Sequence, residues 1–183
     1  MTLALTLGMT VGVRKSMYMM VGELAGVALV AVAAIIGVAA ILLNHPQLFL
    51  ILKSLGAAYL FYLGVQMWRS RGKLAIPEDM DESRPVSFST LSSQGFITAI
   101  ANPKGWAFFI ALLPPFIQAE QPLFPQASML ISIILLFEFI CLMLYATGGK
   151  TLRKALLNKG NVVLMNRISG SLMMGVGVWL ALG

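Results

Sequence analysis

Leu24-Ala25-Gly26-Val27-Ala28-Leu29-Val30-Ala31-Val32-Ala33-Ala34-Ile35-Ile36-Gly37-Val38-Ala39-Ala40-Ile41-Leu42-Leu43 is a run of twenty residues with no charged or strongly polar side chain. At about 1.5 Å per residue a helix of this length crosses the roughly 30 Å hydrocarbon core of a bilayer, so the run predicts a transmembrane helix. The rest of the chain has the same character. Of its 183 residues 58% are hydrophobic and 11% charged, and the mean hydropathy is +0.87. Soluble domains carry about 25% charged residues, so too little polar sequence is present to cover a water-facing surface. The sequence predicts an all-α, polytopic helix bundle in a lipid bilayer, a single transmembrane domain over residues 1–183.

Working outward, Asn44-His45-Pro46-Gln47 interrupts the first span, and Leu48 to Trp68 resumes with an interfacial tryptophan at its end. Arg69 to Thr90 is the long polar stretch, with Arg69, Arg71, Lys73 and Arg84 around Glu78, Asp79, Asp81 and Glu82, and reads as a solvated linker. Further apolar spans are expected at Gly95 to Ile117, broken by Asn102-Pro103-Lys104, at Ala127 to Thr147, and from Ile168 onward. Met1 to Val13 is apolar but only about 20 Å long as a helix, and reads as half a helix. It does not read as a signal peptide, since Arg14 and Lys15 follow the apolar run and no small-residue cleavage pattern appears.

Lys53-Ser54-Leu55-Gly56-Ala57-Ala58 to Gly64 lies over Asn166-Arg167-Ile168-Ser169-Gly170-Ser171 to Gly177, each a polar start followed by small residues. In each half an acid-bearing segment precedes this one, Glu23 in the first and Glu138 in the second. The order predicts an inverted three-plus-three repeat, with half-repeats 1–68 and 91–183 around the linker 69–90 and a partial first helix. Basic residues fall in alternate connections: Arg14 and Lys15, Arg69 to Arg84, and Lys150 to Arg167. These are expected on the cytoplasmic side, with 44–47 and 118–126 outside. The net charge of +6 thus sets orientation; nucleic acid is not an expected partner.

Ionisable groups within the apolar spans cost at least about 2.5–3.5 kcal/mol each at the bilayer centre and call for a function or a partner. Lys104 lies nine residues into its span, deeper than a lysine comfortably snorkels. Asn102 suits an N-cap and Pro103 a first helical residue, so the break would present the half-helix start at Asn102, Pro103, Lys104 and Gly105 as an anion site. Glu138 sits near the middle of its span, where it suits proton carriage or a buried hydrogen bond. Glu23, between Gly22 and Gly26, is the second proton-coupling candidate, and the glycine spacing favours close helix contact. Tyr145 is a candidate substrate contact. Gly148-Gly149-Lys150-Thr151 imitates the end of a phosphate-binding loop, but Leu144 stands where its first glycine is required. One cysteine, Cys141, and one histidine, His45, exclude a thiolate cluster and offer no material for a catalytic triad or a zinc site. No cofactor is expected, and no enzyme.

The chain resembles the LysE/RhtB group of bacterial amino-acid exporters along nearly its whole length. The resemblance rests on Leu52-Lys53-Ser54-Leu55-Gly56-Ala57-Ala58-Tyr59-Leu60 with Tyr62-Leu63-Gly64, on Asn102-Pro103-Lys104 with Phe108, Phe109 and Leu113-Pro114, on Glu138 to Tyr145-Ala146, and on Asn166-Arg167-Ile168-Ser169-Gly170. Such proteins usually open with a helix ending in a Pro-Gly-Pro-Asn-like break ahead of the counterpart of Met1 to Gly8, a feature this sequence lacks, and tend to have aspartate at the position of Glu138. The resemblance implies efflux of amino acids or related zwitterions across the bacterial inner membrane, driven by the proton gradient. A broken helix and buried acids in two inverted halves are also what a secondary transporter needs. The substrate carboxylate would then meet Lys104 and the half-helix start, and Glu138 its ammonium group or the counter-proton. The alternative is a non-transporting interaction or assembly subunit, or an inactive truncated product. Oligomeric state is left open, a homo-oligomer included.

Overall fold

The computed structural model describes residues 2–70, 87–118, 120–157 and 159–182. Within them the chain is all helical, with seven α-helices: α1 (Thr2–Thr10), α2 (Val13–Asn44), α3 (Pro46–Arg69), α4 (Phe88–Ile100), α5 (Pro103–Leu112), α6 (Leu123–Leu157) and α7 (Lys159–Leu182). A 3₁₀ turn, Pro114–Phe116, follows α5. Four of these, α2, α3, α6 and α7, are long and apolar enough to cross a bilayer, which makes this a multi-pass membrane protein. The acidic group Glu78 to Glu82 lies outside the described residues.

Several boundaries differ from those expected. The span placed at Gly95 to Ile117 is two short helices, α4 and α5, and α4 begins at Phe88, inside the stretch read as linker. Ser87 explains the early start: its hydroxyl accepts the Thr90 N–H at 3.2 Å and caps the helix. The final span begins at Lys159, nine residues before Ile168, and the basic stretch from Lys150 is helical on both sides of residue 158. Burial drives this extension, because Val162 packs against Leu5 and is almost fully buried.

Between α1 and α2 the chain turns at Gly12, whose φ of 85° and ψ of 160° suit glycine alone and end the first helix. With nine residues α1 is about 14 Å long, half a crossing, as the sequence suggested. It is nonetheless well buried: Ala4 and Leu7 join Met19, Met20, Leu142 and Ala146 in one apolar cluster.

Two helix pairs dominate the packing, and both use small residues to bring backbones together. Along α2 and α4, Gly22 abuts the Ser92 backbone, Gly95 abuts Met19 and Glu23, and Gly26 abuts Ala99. Residue numbers rise together, so these helices run parallel. Along α3 and α7, Gly64 abuts Gly170 and Gly177 abuts Ala57, an antiparallel crossing. The second apolar cluster joins Val30, Ala31, Ala34, Ile35 and Val38 of α2 to Phe109, Leu113 and Ile117, with Leu130, Ile131 and Ile134 of α6 against it. Since Met19 and Met20 meet Leu142 and Ala146 while Val30 to Val38 meet Leu130 to Ile134, α6 runs antiparallel to α2.

Candidate functional site

Where α4 gives way to α5, Asn102 leaves the helical path because Pro103 lacks an N–H and disfavours a helical conformation in the residue before it. Asn102 is extended (φ −82°, ψ 99°), and its Oδ1 accepts the Lys104 N–H at 3.1 Å. The Gly105 and Trp106 N–H groups both donate to the Asn102 carbonyl, at 3.1 and 3.3 Å. Across the break, the Trp106 indole N–H donates to the Ile100 carbonyl at 2.8 Å. These bonds satisfy the Lys104, Gly105 and Trp106 amides and the Ile100 carbonyl within the protein, the kind of compensation a helix break in an apolar bundle requires. This corrects one expectation: the first-turn amides of α5 are engaged, so an anion here would be met by the Lys104 ammonium and the helix dipole instead of by free N–H groups.

Lys104 faces a cavity of about 920 Å³, within the roughly 300–1,000 Å³ usual for small-molecule sites. Six helices line it. Its ionisable walls are Glu23 from α2, Lys104 from α5 and Glu138 from α6. Asn102 and Gly105 also line it, so five of the seven residues singled out from the sequence converge on one space. Pro103 starts the helix without lining the cavity. Tyr145 is elsewhere: it packs beside Leu5 and Val162, two turns along α6 from Glu138.

Glu23 is buried, 7% exposed, at the tight α2–α4 contact where Gly95 meets its backbone. Glu138 is half-buried and Lys104 exposed. The cavity adds polar residues that the sequence reading did not single out: Gln66, Ser70, Thr98 and Asn166. Asn166 Nδ2 donates to Ser70 Oγ at 3.2 Å across the α3–α7 crossing, and Arg167 lies 5.0 Å over the Trp68 ring beside it. A signal for them existed, since Gln66 is an amide within an apolar helix and Asn166 opens the repeated segment. Among the described residues no group of three or more potential ligands could hold a metal.

The arrangement is a membrane-embedded cavity with two carboxylates and one ammonium, of a size for a small charged solute. Comparison with known proteins agrees with that chemistry. The family model described as LysE type translocator matches residues 1–183. A membrane protein of Vibrio cholerae, named as uncharacterized, is 30% identical over 95% of this chain and 83% of its own length. A homoserine/homoserine lactone efflux protein of Salmonella typhi is 32% identical over 73% of this chain and 63% of its own. A leucine efflux protein of Salmonella choleraesuis is 30% identical over 61% and 51%. No solved structure matches the chain. With the match running through every helix that builds the cavity, the chain belongs to the LysE type translocator family, a family of transporters and not of enzymes.

Proposed function

We propose that this protein exports amino acids or closely related zwitterions across the bacterial cytoplasmic membrane in exchange for protons. The observation that carries the reading is the convergence of Glu23, Glu138 and Lys104 on one cavity. Each of these groups is costly in an apolar span, and together they complement a zwitterion with one carboxylate to spare for a proton. Lys104 and the α5 dipole meet the substrate carboxylate, and Glu138 meets the ammonium group or carries the proton. Glu23, the more buried acid, is the second member of the proton relay. The names of relatives, efflux proteins for homoserine and for leucine, support the substrate class and the direction.

The three-plus-three inverted repeat is part of this proposal. Two observations support it: the sequence repeat sets 57 against 170 and 64 against 177, and in the structure position 57 contacts 177 while 64 contacts 170. Contacts that exchange in this way are those of a two-fold axis between α3 and α7. Glu23 and Glu138, one in each half, then occupy matching helices around the same cavity.

Purified protein in proteoliposomes tests the function. Wild type should show amino-acid counterflow and substrate accumulation driven by an imposed pH gradient. Glu138→Gln keeps the shape and hydrogen-bonding capacity but cannot release a proton, so gradient-driven flux should be lost while some exchange persists. Wild-type rates in Glu138→Gln under a pH gradient would remove the carrier role from this residue. Absence of counterflow in wild type would favour a non-transporting role.

A further inference from the structure

The cavity is stratified along the bundle, and every helix that contributes an ionisable group agrees on the direction. On α2 Glu23 is followed, one and two turns further from the helix start, by Val27 and Val30. On α6, which runs the opposite way, Ile134 lies one turn beyond Glu138 in that same direction. On α5 Lys104 opens the helix, and Phe108, Phe109 and Leu112 follow it along the cavity wall. The opposite end receives Ser70, Gln66 and Asn166 from α3 and α7. On the walls from α2 and α5 burial deepens toward the apolar end, while on α6 Ile133 and Phe137 are exposed. Gln66, Thr98 and Lys104 are exposed, whereas Val30 is 2% and Phe109 9% exposed, continuous with the apolar cluster that closes the bundle beyond them.

From this we infer that the apolar closed end, built by Val30, Phe109, Leu112 and Ile134, receives the side chain of the cargo, so that the protein selects amino acids with neutral aliphatic side chains over those with charged ones. The inference rests on the proposed amino-acid transport. A zwitterionic head held between Lys104 and a glutamate leaves its side chain two ways to point. Toward the closed end the side chain gains burial against four apolar walls, and a charge placed there would have no partner among the described lining residues. Toward the open end it meets the Gln66 and Asn166 amides and the Ser70 hydroxyl, with Met67 and Cys141 beside them and no fully buried apolar wall. The burial decides for the closed end, and each methylene buried there sharpens selection.

The test is counterflow in proteoliposomes of the full chain, with leucine, valine, alanine, lysine and glutamate each tried as the internal exchange partner of each labelled amino acid. The expected order is leucine ahead of valine ahead of alanine, with alanine, lysine and glutamate at least about tenfold weaker than leucine. Ile134→Ala, which enlarges the half-exposed side of the pocket, should improve phenylalanine relative to leucine by about tenfold. Lysine has two ammonium groups that the two carboxylates could hold, so lysine or glutamate matching leucine would overturn the assignment while leaving amino-acid transport intact. An unchanged leucine-to-phenylalanine ratio in a folded, active Ile134→Ala would also overturn it. No counterflow with any of the five would bring down the transport reading itself, and this inference with it.

Discussion

At the scale of single residues, Lys104 shows how much the helix break contributes to its chemistry. Its N–H is held by Asn102 and its neighbours' N–H groups by the Asn102 carbonyl, so the backbone around it is fixed and the ammonium is the group left for a ligand. Lys104→Met keeps the length and the apolar stem and removes the charge. A charge-assisted contact contributes about 1.5–3 kcal/mol, so the half-saturating substrate concentration should rise about 10- to 100-fold, with a smaller change in maximal rate. Initial-rate counterflow measured against substrate concentration reads both quantities; an unchanged half-saturation would assign Lys104 to packing. The ionisable members of the site were legible in the sequence because charge in an apolar span is costly wherever it falls. The polar neutral members were less so, since Ser70, Thr98 and Gln66 are ordinary on a water-facing surface and gain meaning only from the cavity they share. Tyr145 illustrates the converse: seven residues from Glu138 it shares that helical face, yet it stands about 10 Å further along, beside Leu5 of α1 and Val162 of α7 and outside the cavity lining.

Elements were legible to the extent that local chemistry fixed them. Asn102-Pro103 announced the break between α4 and α5, and Gly22 and Gly26 announced a close helix contact; both are present. The starts of α4 and α7 were not legible, because a serine cap and a single buried valine extend helices through polar sequence that composition alone assigns to loops. The glycine contacts lead to a stability prediction. A Cβ on Gly95 would collide with the Met19 carbonyl and the Glu23 N–H, both backbone groups that cannot yield without moving α2. Gly175 has nothing within 4 Å. Gly95→Ala should cost about 1–3 kcal/mol and lower the unfolding temperature in detergent by roughly 2–10 °C. Gly175→Ala should be neutral or stabilising by up to about 1 kcal/mol through helix propensity alone. Equal behaviour of the two variants would mean that the α2–α4 contact is looser than its geometry implies. Because Glu23 lies within that contact, Gly95→Ala should also impair proton-driven flux more than its stability loss accounts for.

For the molecule as a whole, orientation decides which side loads the cavity. The polar, exposed end of the cavity is the end where α3 finishes at Ser70, next to Arg69, and where α2 begins after Arg14 and Lys15. The opposite ends of α2 and α6 meet connections that carry Glu120 and His45 as their ionisable groups. By the preference of basic residues for the cytoplasmic face, the open end is expected to face the cytoplasm and the apolar closed end the outside. On the proposed export, that is the arrangement needed before loading, and the apolar cluster around Val30, Ile35 and Phe109 is the barrier that would have to part for release. Single cysteines at positions 82 and 120 in a Cys141→Ala background test the orientation. An impermeant thiol reagent applied to intact cells should label position 120 and spare position 82, with the pattern becoming equal once the membrane is opened. Labelling of 82 with protection of 120 would turn the protein over, and the same cavity would then be open to the outside, the state an alternating-access exporter reaches on release. The labelling pattern thus decides which side the opening faces in this state, and flux under an imposed pH gradient decides the direction of transport, because an alternating-access carrier opens its site to each side in turn.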